Sequence, residues 1–317
     1  MNLKKYLPEI KQISHINFEY QFTIFVPVYN ASQTIHRVFN SLQAQTFKNF
    51  EVIIINDGST DASDQIITEL LTGCDYEVVY INHQENKHKM GCLLEAVQRA
   101  RGEFFLILDA DDECTDDALS VLHQEYLAIP EDLKPKISGV TCCCVNQAGK
   151  LIGDYFPTDP FYSNSFEKKV YFDIKGEKWG FNKTQILKSI DVSNEVFAKG
   201  LIPESYLWIL IARSGYTTKY INKNLRVYYI EPNGNTNLSS LGYDKKAFGM
   251  AIFAIAFINW FHRDHFHKAS KHFLMRLYSL LKASRYLHFT LKDYVSSIDN
   301  YLLKTALIAL WPVRKFI

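Results

Sequence analysis

Four times within the first 112 residues an apolar run stops abruptly at polar side chains: FTIFVPV before Tyr29-Asn30, EVIIIND, YEVVYIN and EFFLILDADD. Between the runs lie segments with helical spacing. Ile35, Val38, Phe39 and Leu42 share one face of a helix over 31–45, which Asn30 or Ser32 can cap. Ser59, Thr60 and Asp61 open a second helix leading to Ile66, Ile67 and Leu70, and Met90 to Arg101 forms a third. Strand and helix in strict alternation predict an α/β fold, a mostly parallel sheet flanked by helices. In such a sheet ligands lie at the carboxyl ends of the strands, where these runs place their polar residues.

Beyond residue 112 the pattern loosens. It predicts a helix over 116–126, a strand KISGVTCCCVN, short helices over 182–189 and 204–213, two strands TTKYIN and LRVYYI, and a loop EPNGNTNLSS. The rest is helical and basic. The expected division is a catalytic domain over 1–232 and a helical C-terminal region over 233–317. With 317 residues, 47% of them hydrophobic, the chain has ample material for a core, which excludes disordered and disulfide-scaffold classes.

The net charge of +1 conceals an uneven distribution. Residues 241–317 hold 12 Lys+Arg against 4 Asp+Glu, and the remainder holds 23 against 30, so an acidic body carries a basic tail. The overall balance argues against a nucleic-acid partner. No pair of the six cysteines has Cys-x-x-Cys spacing, and the Cys142, Cys143, Cys144 run reads as small strand hydrophobes, as expected of a reduced, cytoplasmic protein. The start MNLKKYLPEIKQ lacks the apolar region of a signal peptide. Ala247 to Phe261 is shorter than the roughly 20 residues that span a bilayer.

The run Asp109-Ala110-Asp111-Asp112 places three carboxylates directly after an apolar strand, where they need a positive partner. Mg²⁺ or Mn²⁺ would neutralise them and bridge to a diphosphate, with Asp109, Asp111 and Asp112 as candidate ligands; solvated acids or a helix cap are the plainer reading. In IIINDGSTD, Asp57 leaves the second strand at the same edge. An ionised Asp accepts hydrogen bonds only, which suits the ring N–H of a uracil, although an Asp-Gly turn capping a helix accounts equally for the residues. VPVYN brings Pro27, Tyr29 and Asn30 to that edge as well. There is no Gly-x-Gly-x-x-Gly after a strand and no Gly-Lys-Ser/Thr loop, which disfavours NAD and P-loop chemistry.

The opening strand, the NDGSTD turn and the LDADD strand end resemble, in order and spacing over about the first 115 residues, the family 2 glycosyltransferases of the GT-A fold. The resemblance implies an inverting, metal-dependent transferase that uses a nucleotide sugar. It assigns base recognition to Asp57, metal and nucleotide to Asp109 and Asp111, and places Ala110 and Asp112 in the same run. A basic residue near the nucleotide falls in QENKHKMG, with Lys89 as the first counterpart and Lys87 as the second. The family's Glu-Asp pair before a Leu-Trp helix corresponds to Pro203-Glu204 in IPESYLWILIARSGY, so Glu204 is the candidate base and the preceding acid is missing. Glu177, Lys178 and Trp179 of GEKWGFNKTQIL are candidate sugar or acceptor contacts, though a Trp equally serves as a core anchor.

The expectation is therefore transfer of a sugar, from a UDP-sugar first of all, to a hydroxyl of a glycan or lipid-linked acceptor in bacterial surface polysaccharide synthesis. A sugar nucleotidyltransferase would need a Gly-rich, Arg-containing loop after VPVYN, which is absent; a non-catalytic glycan or partner-binding module would have no use for Glu204. In the tail, residues 268–288 and 294–311 read as basic amphipathic helices. These suit either peripheral contact with the inner face of the cell membrane or packing, on the core or in a homodimer.

Overall fold

The computed structural model describes residues 2–230 and 242–317. Its strands are β1 (Glu9–Ile10), β2 (Tyr20–Val28), β3 (Phe50–Asp57), β4 (Glu77–His83), β5 (Gly102–Ile107), β6 (Glu113–Cys114), β7 (Ile137–Asn146), β8 (Phe161–Ser163), β9 (Lys178–Lys183), β10 (Ile190–Asp191) and β11 (Thr217–Tyr228). Its helices are α1 (Ile35–Gln43), α2 (Ser63–Leu71), α3 (His88–Arg99), α4 (Ala118–Leu127), α5 (Ser165–Val170), α6 (Thr184–Lys188), α7 (Ser205–Arg213), α8 (Tyr243–His265), α9 (Ser270–Ala283), α10 (Leu291–Ser297) and α11 (Tyr301–Leu310).

Two compact units emerge. One comprises Gln12–Ser189 and Gly215–Asn233, the other Met1–Lys11, Ile190–Ser214 and Gly234–Ile317. The expected boundary at 232/233 lies, like the EPNGNTNLSS loop, outside the described residues. Specific contacts hold the second unit together. The Tyr206 hydroxyl of α7 donates to the Tyr6 carbonyl, β1 pairs with β10, and Tyr6 packs edge-on against Phe248 of α8. The chain's start, the α7 segment and the C-terminal helices thus form one packed body.

The first unit is built on a nine-stranded sheet of order β4-β3-β2-β5-β9-β7-β11-β6, with β8 on β11. The half formed by β4, β3, β2 and β5 is entirely parallel. It is covered on both faces, and all eight positions of β3 are buried. β9 enters antiparallel between β5 and β7, so the sheet is mixed rather than parallel throughout. Within it Phe104 stacks on Phe181 at 4.2 Å and packs edge-on to Tyr126 at 4.6 Å. α1 buries the expected Ile35, Val38, Phe39 and Leu42, although neither Asn30 nor Ser32 caps it; Thr34 holds that position without a side-chain bond. Cys142 and Cys144 face the main core and Cys143 faces a smaller aromatic cluster, as a strand alternation requires, and burial pushes all three thiols up.

Two elements depart from the sequence reading. β5 ends at Ile107, because after Leu108 donates to the Phe25 carbonyl the chain turns, with the Asp112 amide bonded to the Asp109 carbonyl. TTKYIN and LRVYYI form one twelve-residue strand, β11. Shifts in its register with β7 between Tyr220 and Arg226 accommodate the intervening polar residues as a bulge, not a turn. Replacing Phe104 with Ala should remove about 3–5 kcal/mol of stability, measured as a lowered midpoint in urea denaturation without loss of the folded baseline.

Candidate active site

Because β2 pairs in parallel with both β3 and β5, the ends of all three strands reach one edge of the sheet. The loops there are tied together. Asn30, at φ 52°, accepts from the Thr60 amide through Oδ1 (2.8 Å), and its own amide donates to Ser59 Oγ (2.9 Å). Ser32 N–H donates to Asp61 Oδ2. Asn30 therefore braces the two loops, while Tyr29 is 55% exposed beside it and Pro27 lies within the β2–β3 pairing.

Asp57 terminates β3 with its side chain buried. Its Oδ1 accepts the Lys87 amide at 2.7 Å and lies 3.3 Å from His83 Nδ1. His83 Nε2 in turn meets Glu95 Oε2 (3.0 Å) and Lys87 Nζ (3.1 Å). Oδ1 thus fixes the orientation of the carboxylate, and the Cys92 thiol also lies against it. Gly58 makes this possible: it has φ +69°, and a Cβ there would stand 2.9 Å from the Asn86 amide nitrogen. Asp57, His83 and Cys92 offer three ligand atoms within 4.8 Å of one another. The donor set does not suit a cation, since Lys87 adjoins it and burial together with Asp57 pushes the Cys92 thiol far up.

The carboxylate run is organised by a residue the sequence reading did not single out. Arg226 of β11, 6% exposed at its side chain, donates from Nε (2.8 Å) and Nη2 to Asp112 Oδ2 and from Nη2 to Asp109 Oδ2 (2.8 Å). The Tyr229 amide donates to Asp112 Oδ1 at 2.9 Å. Lys89 Nζ pairs with Asp109 Oδ1. Burial raises the Asp109 carboxyl, but Lys89 and Arg226 outweigh it and hold it well below the carboxylate range. Burial pushes Asp112 up, to about 6 despite the Arg226 charge.

Asp112, a candidate metal ligand, is 1% exposed, with Oδ2 held by Arg226 and Oδ1 by the Tyr229 amide. Asp111 differs. Its carbonyl accepts from Arg37 Nη1 at 2.9 Å, whose guanidinium stacks 3.8 Å over the Tyr229 ring, but its carboxylate has no ion pair among the described residues. Burial and the neighbouring Asp109 raise its pKa. One uncompensated carboxylate beside a second fits a hard divalent cation that completes its shell with water and phosphate.

The remaining candidates sort differently. Ala110 is buried in the core cluster. Trp179, a candidate sugar contact, is 3% exposed and donates Nε1–H to the Ile107 carbonyl at 2.6 Å, so it anchors β9 under the carboxylate turn and offers no ring face to a ligand. Glu177 is exposed, and Lys178 Nζ bonds the Lys175 and Glu177 carbonyls. Glu204 stands at the N-terminal boundary of α7, in the other unit. The signal for Arg226 was present in LRVYYI, an arginine between Leu225 and Val227 in an otherwise apolar strand, which demands a buried acid opposite it.

A parallel half-sheet with Asp57 after β3 and an acidic turn after β5 is the arrangement of the GT-A fold. Residues 23–133 match the model of Glycosyl transferase family 2. Among curated relatives, the GalNAc(5)-diNAcBac-PP-undecaprenol beta-1,3-glucosyltransferase of Campylobacter jejuni is 24% identical over 72% of this chain and 70% of its own length. The glycosyltransferase GlyA of Streptococcus pneumoniae is 27% identical over 50% of this chain, which spans 19% of that protein. The amylovoran biosynthesis glycosyltransferase AmsB of Erwinia amylovora is 34% identical over 36% of each. Among solved structures, S. aureus TarS 1-349 in complex with UDP-GlcNAc superposes with a TM-score of 0.59 at 17% identity, over 93% of this chain and 86% of that one.

Replacing Arg226 with Met should cost about 3–5 kcal/mol at neutral pH, because it strands buried carboxylates without a counter-charge. Without the arginine these acids take up protons more readily in the folded state, so acidification relieves the penalty. The deficit in Tm relative to wild type should therefore shrink as the pH falls from 7 toward 4, as thermal melts across that range would record.

Proposed function

We propose that this protein is an inverting glycosyltransferase that moves a sugar from a UDP-sugar to a hydroxyl of a glycan or lipid-linked acceptor in bacterial surface polysaccharide synthesis. The observation that carries the reading is the pair of carboxylates at one sheet edge, Asp57 after β3, oriented through Oδ1, and Asp111 after β5, without an ion pair among the described residues. The spacing between two parallel-strand ends suits a base at one and a diphosphate at the other. The naming of UDP-GlcNAc in the TarS complex and of undecaprenol in the C. jejuni relative supports this choice of donor and acceptor.

In this reading Asp57 accepts the ring N–H of uracil, held in orientation by Lys87 N–H and His83. Lys89 and Arg226 keep Asp109 ionised beside the phosphates. Asp111 would hold Mg²⁺ or Mn²⁺, which when bound would offset charge on the departing diphosphate. Glu204 would accept the acceptor hydroxyl's proton, and a single base with in-line attack inverts the anomeric centre. A thermal-shift screen of UDP-, GDP- and dTDP-sugars with and without Mn²⁺ tests the donor assignment.

Asp111→Asn should abolish the metal-dependent part of nucleotide affinity while leaving the fold intact, which isothermal titration with UDP and Mn²⁺ would measure. Glu204→Gln should lower turnover by about 10²- to 10⁴-fold with nucleotide affinity unchanged. Metal-dependent binding without turnover of any donor in the wild type would instead favour a binding module.

A further inference from the structure

The C-terminal helices expose more apolar surface than a closed helical body requires. α9 has two apolar faces. One, carrying Phe273, Leu277, Leu280 and Leu281, is at most 1% exposed. Phe273 on it meets Phe257 of α8 at 5.2 Å. The other carries Leu274, Met275 and Tyr278, each more than half exposed. These three recur at helical spacing between Lys271 and Lys282, so one outward stripe is apolar in its middle and cationic at both ends. α11, which packs on α9, repeats the arrangement. Leu303 and Leu307 are buried, whereas Tyr301, Leu302 and Ile308 are 79%, 63% and 50% exposed. Phe316, at 89%, follows beside Lys315.

No carboxylate occurs between Asp264 and Asp293 or after Asp299. Asp293 closes a capping box with Thr290 and Asp299 pairs with Lys4, while Asp264 lies exposed near the end of α8, outside the α9 and α11 stripes. The outward stripes of α9 and α11 themselves carry apolar and cationic side chains and no carboxylate. An exposed apolar face of this kind marks a contact site, and its charge selects the partner. A second copy related by a two-fold axis would set Lys271 and Lys282 against like charges. An anionic bilayer offers what the stripe lacks, a negative headgroup plane above an apolar layer, and tyrosine suits the boundary between them. No helix among the described residues is long and apolar enough to cross a membrane, so such a contact lies in the plane of the surface.

We propose that the outward faces of α9 and α11 dock this protein on an anionic lipid bilayer. The assignment stands apart from the sugar chemistry, and its test is co-sedimentation of the full 317-residue chain with phosphatidylcholine vesicles, with and without phosphatidylglycerol. The wild type should sediment with the anionic vesicles and be released by salt. Leu274→Glu/Tyr278→Glu and Lys271→Glu/Lys282→Glu should each retain the wild-type melting temperature. Each lysine near the surface matters about 5-fold, so the charge-reversed pair should partition at least about 25-fold more weakly. Lys136→Glu/Lys150→Glu, the same charge change on exposed positions of the sheet unit, should bind as the wild type does. The proposal is overturned if both α9 variants bind as the wild type, or if neutral vesicles bind equally well. It is overturned too if light scattering finds a dimer that Leu274→Glu/Tyr278→Glu dissociates, which would make a second copy the occupant.

Discussion

Three carboxylates at the end of a buried strand repel one another, and in a low-dielectric setting at least two must be neutralised for the strand to end there. Arg226 meets that requirement from the other half of the sheet. Its guanidinium bonds Asp112 and Asp109, and the adjoining Tyr229 amide completes Asp112. β6, which follows the carboxylates directly, pairs with β11 at Arg226 and Val227, so the same strand that supplies the charge holds the turn in register. Arg37 is drawn in through the Asp111 carbonyl and the Tyr229 ring. The consequence is asymmetry within the run: two carboxylates are bonded to Arg226, and that of Asp111 has no ion pair among the described residues.

The same logic operates at β3. This strand is buried throughout, and it carries an acid at each end with a different fate. Glu51 is fully buried, accepting from Thr23 Oγ1 and from the Arg101 amide and guanidinium, and it fastens β2, β3 and β5 together. Asp57 is oriented through Oδ1, by Lys87 N–H and His83. A fully bonded acid stabilises the sheet; one held in this way at a strand end is preorganised for a ligand, because its orientation needs no further ordering when the ligand arrives. The His83–Glu95–Lys87 group behind Asp57 supplies that stiffness.

The helical unit poses the opposite problem, since its surplus is apolar. α8 is buried through its middle, from Ala247 to Ile258 apart from Met250, and α9 uses one face against it, leaving the second without a protein cover among the described residues. Its lysines and absent carboxylates are consistent with attraction to an anionic surface and disfavour self-association.

The alternation of apolar runs and helical segments determined the parallel half of the sheet from the sequence alone, because burial on both faces leaves a local signature that needs no knowledge of distant residues. NDGSTD and LDADD likewise marked one edge of the sheet, since polar residues that end parallel strands must arrive together. The tertiary structure decided which of those acids is available. Arg226 lies more than a hundred residues from Asp109, so a pair that close in space left no trace in local spacing. Trp179 read equally as a sugar platform or an anchor until β9 entered the sheet beside β5 and its indole reached the Ile107 carbonyl. Local periodicity is written residue by residue; the neutralisation of a buried charge depends on which distant strand becomes its neighbour, and that is settled only when the chain closes on itself.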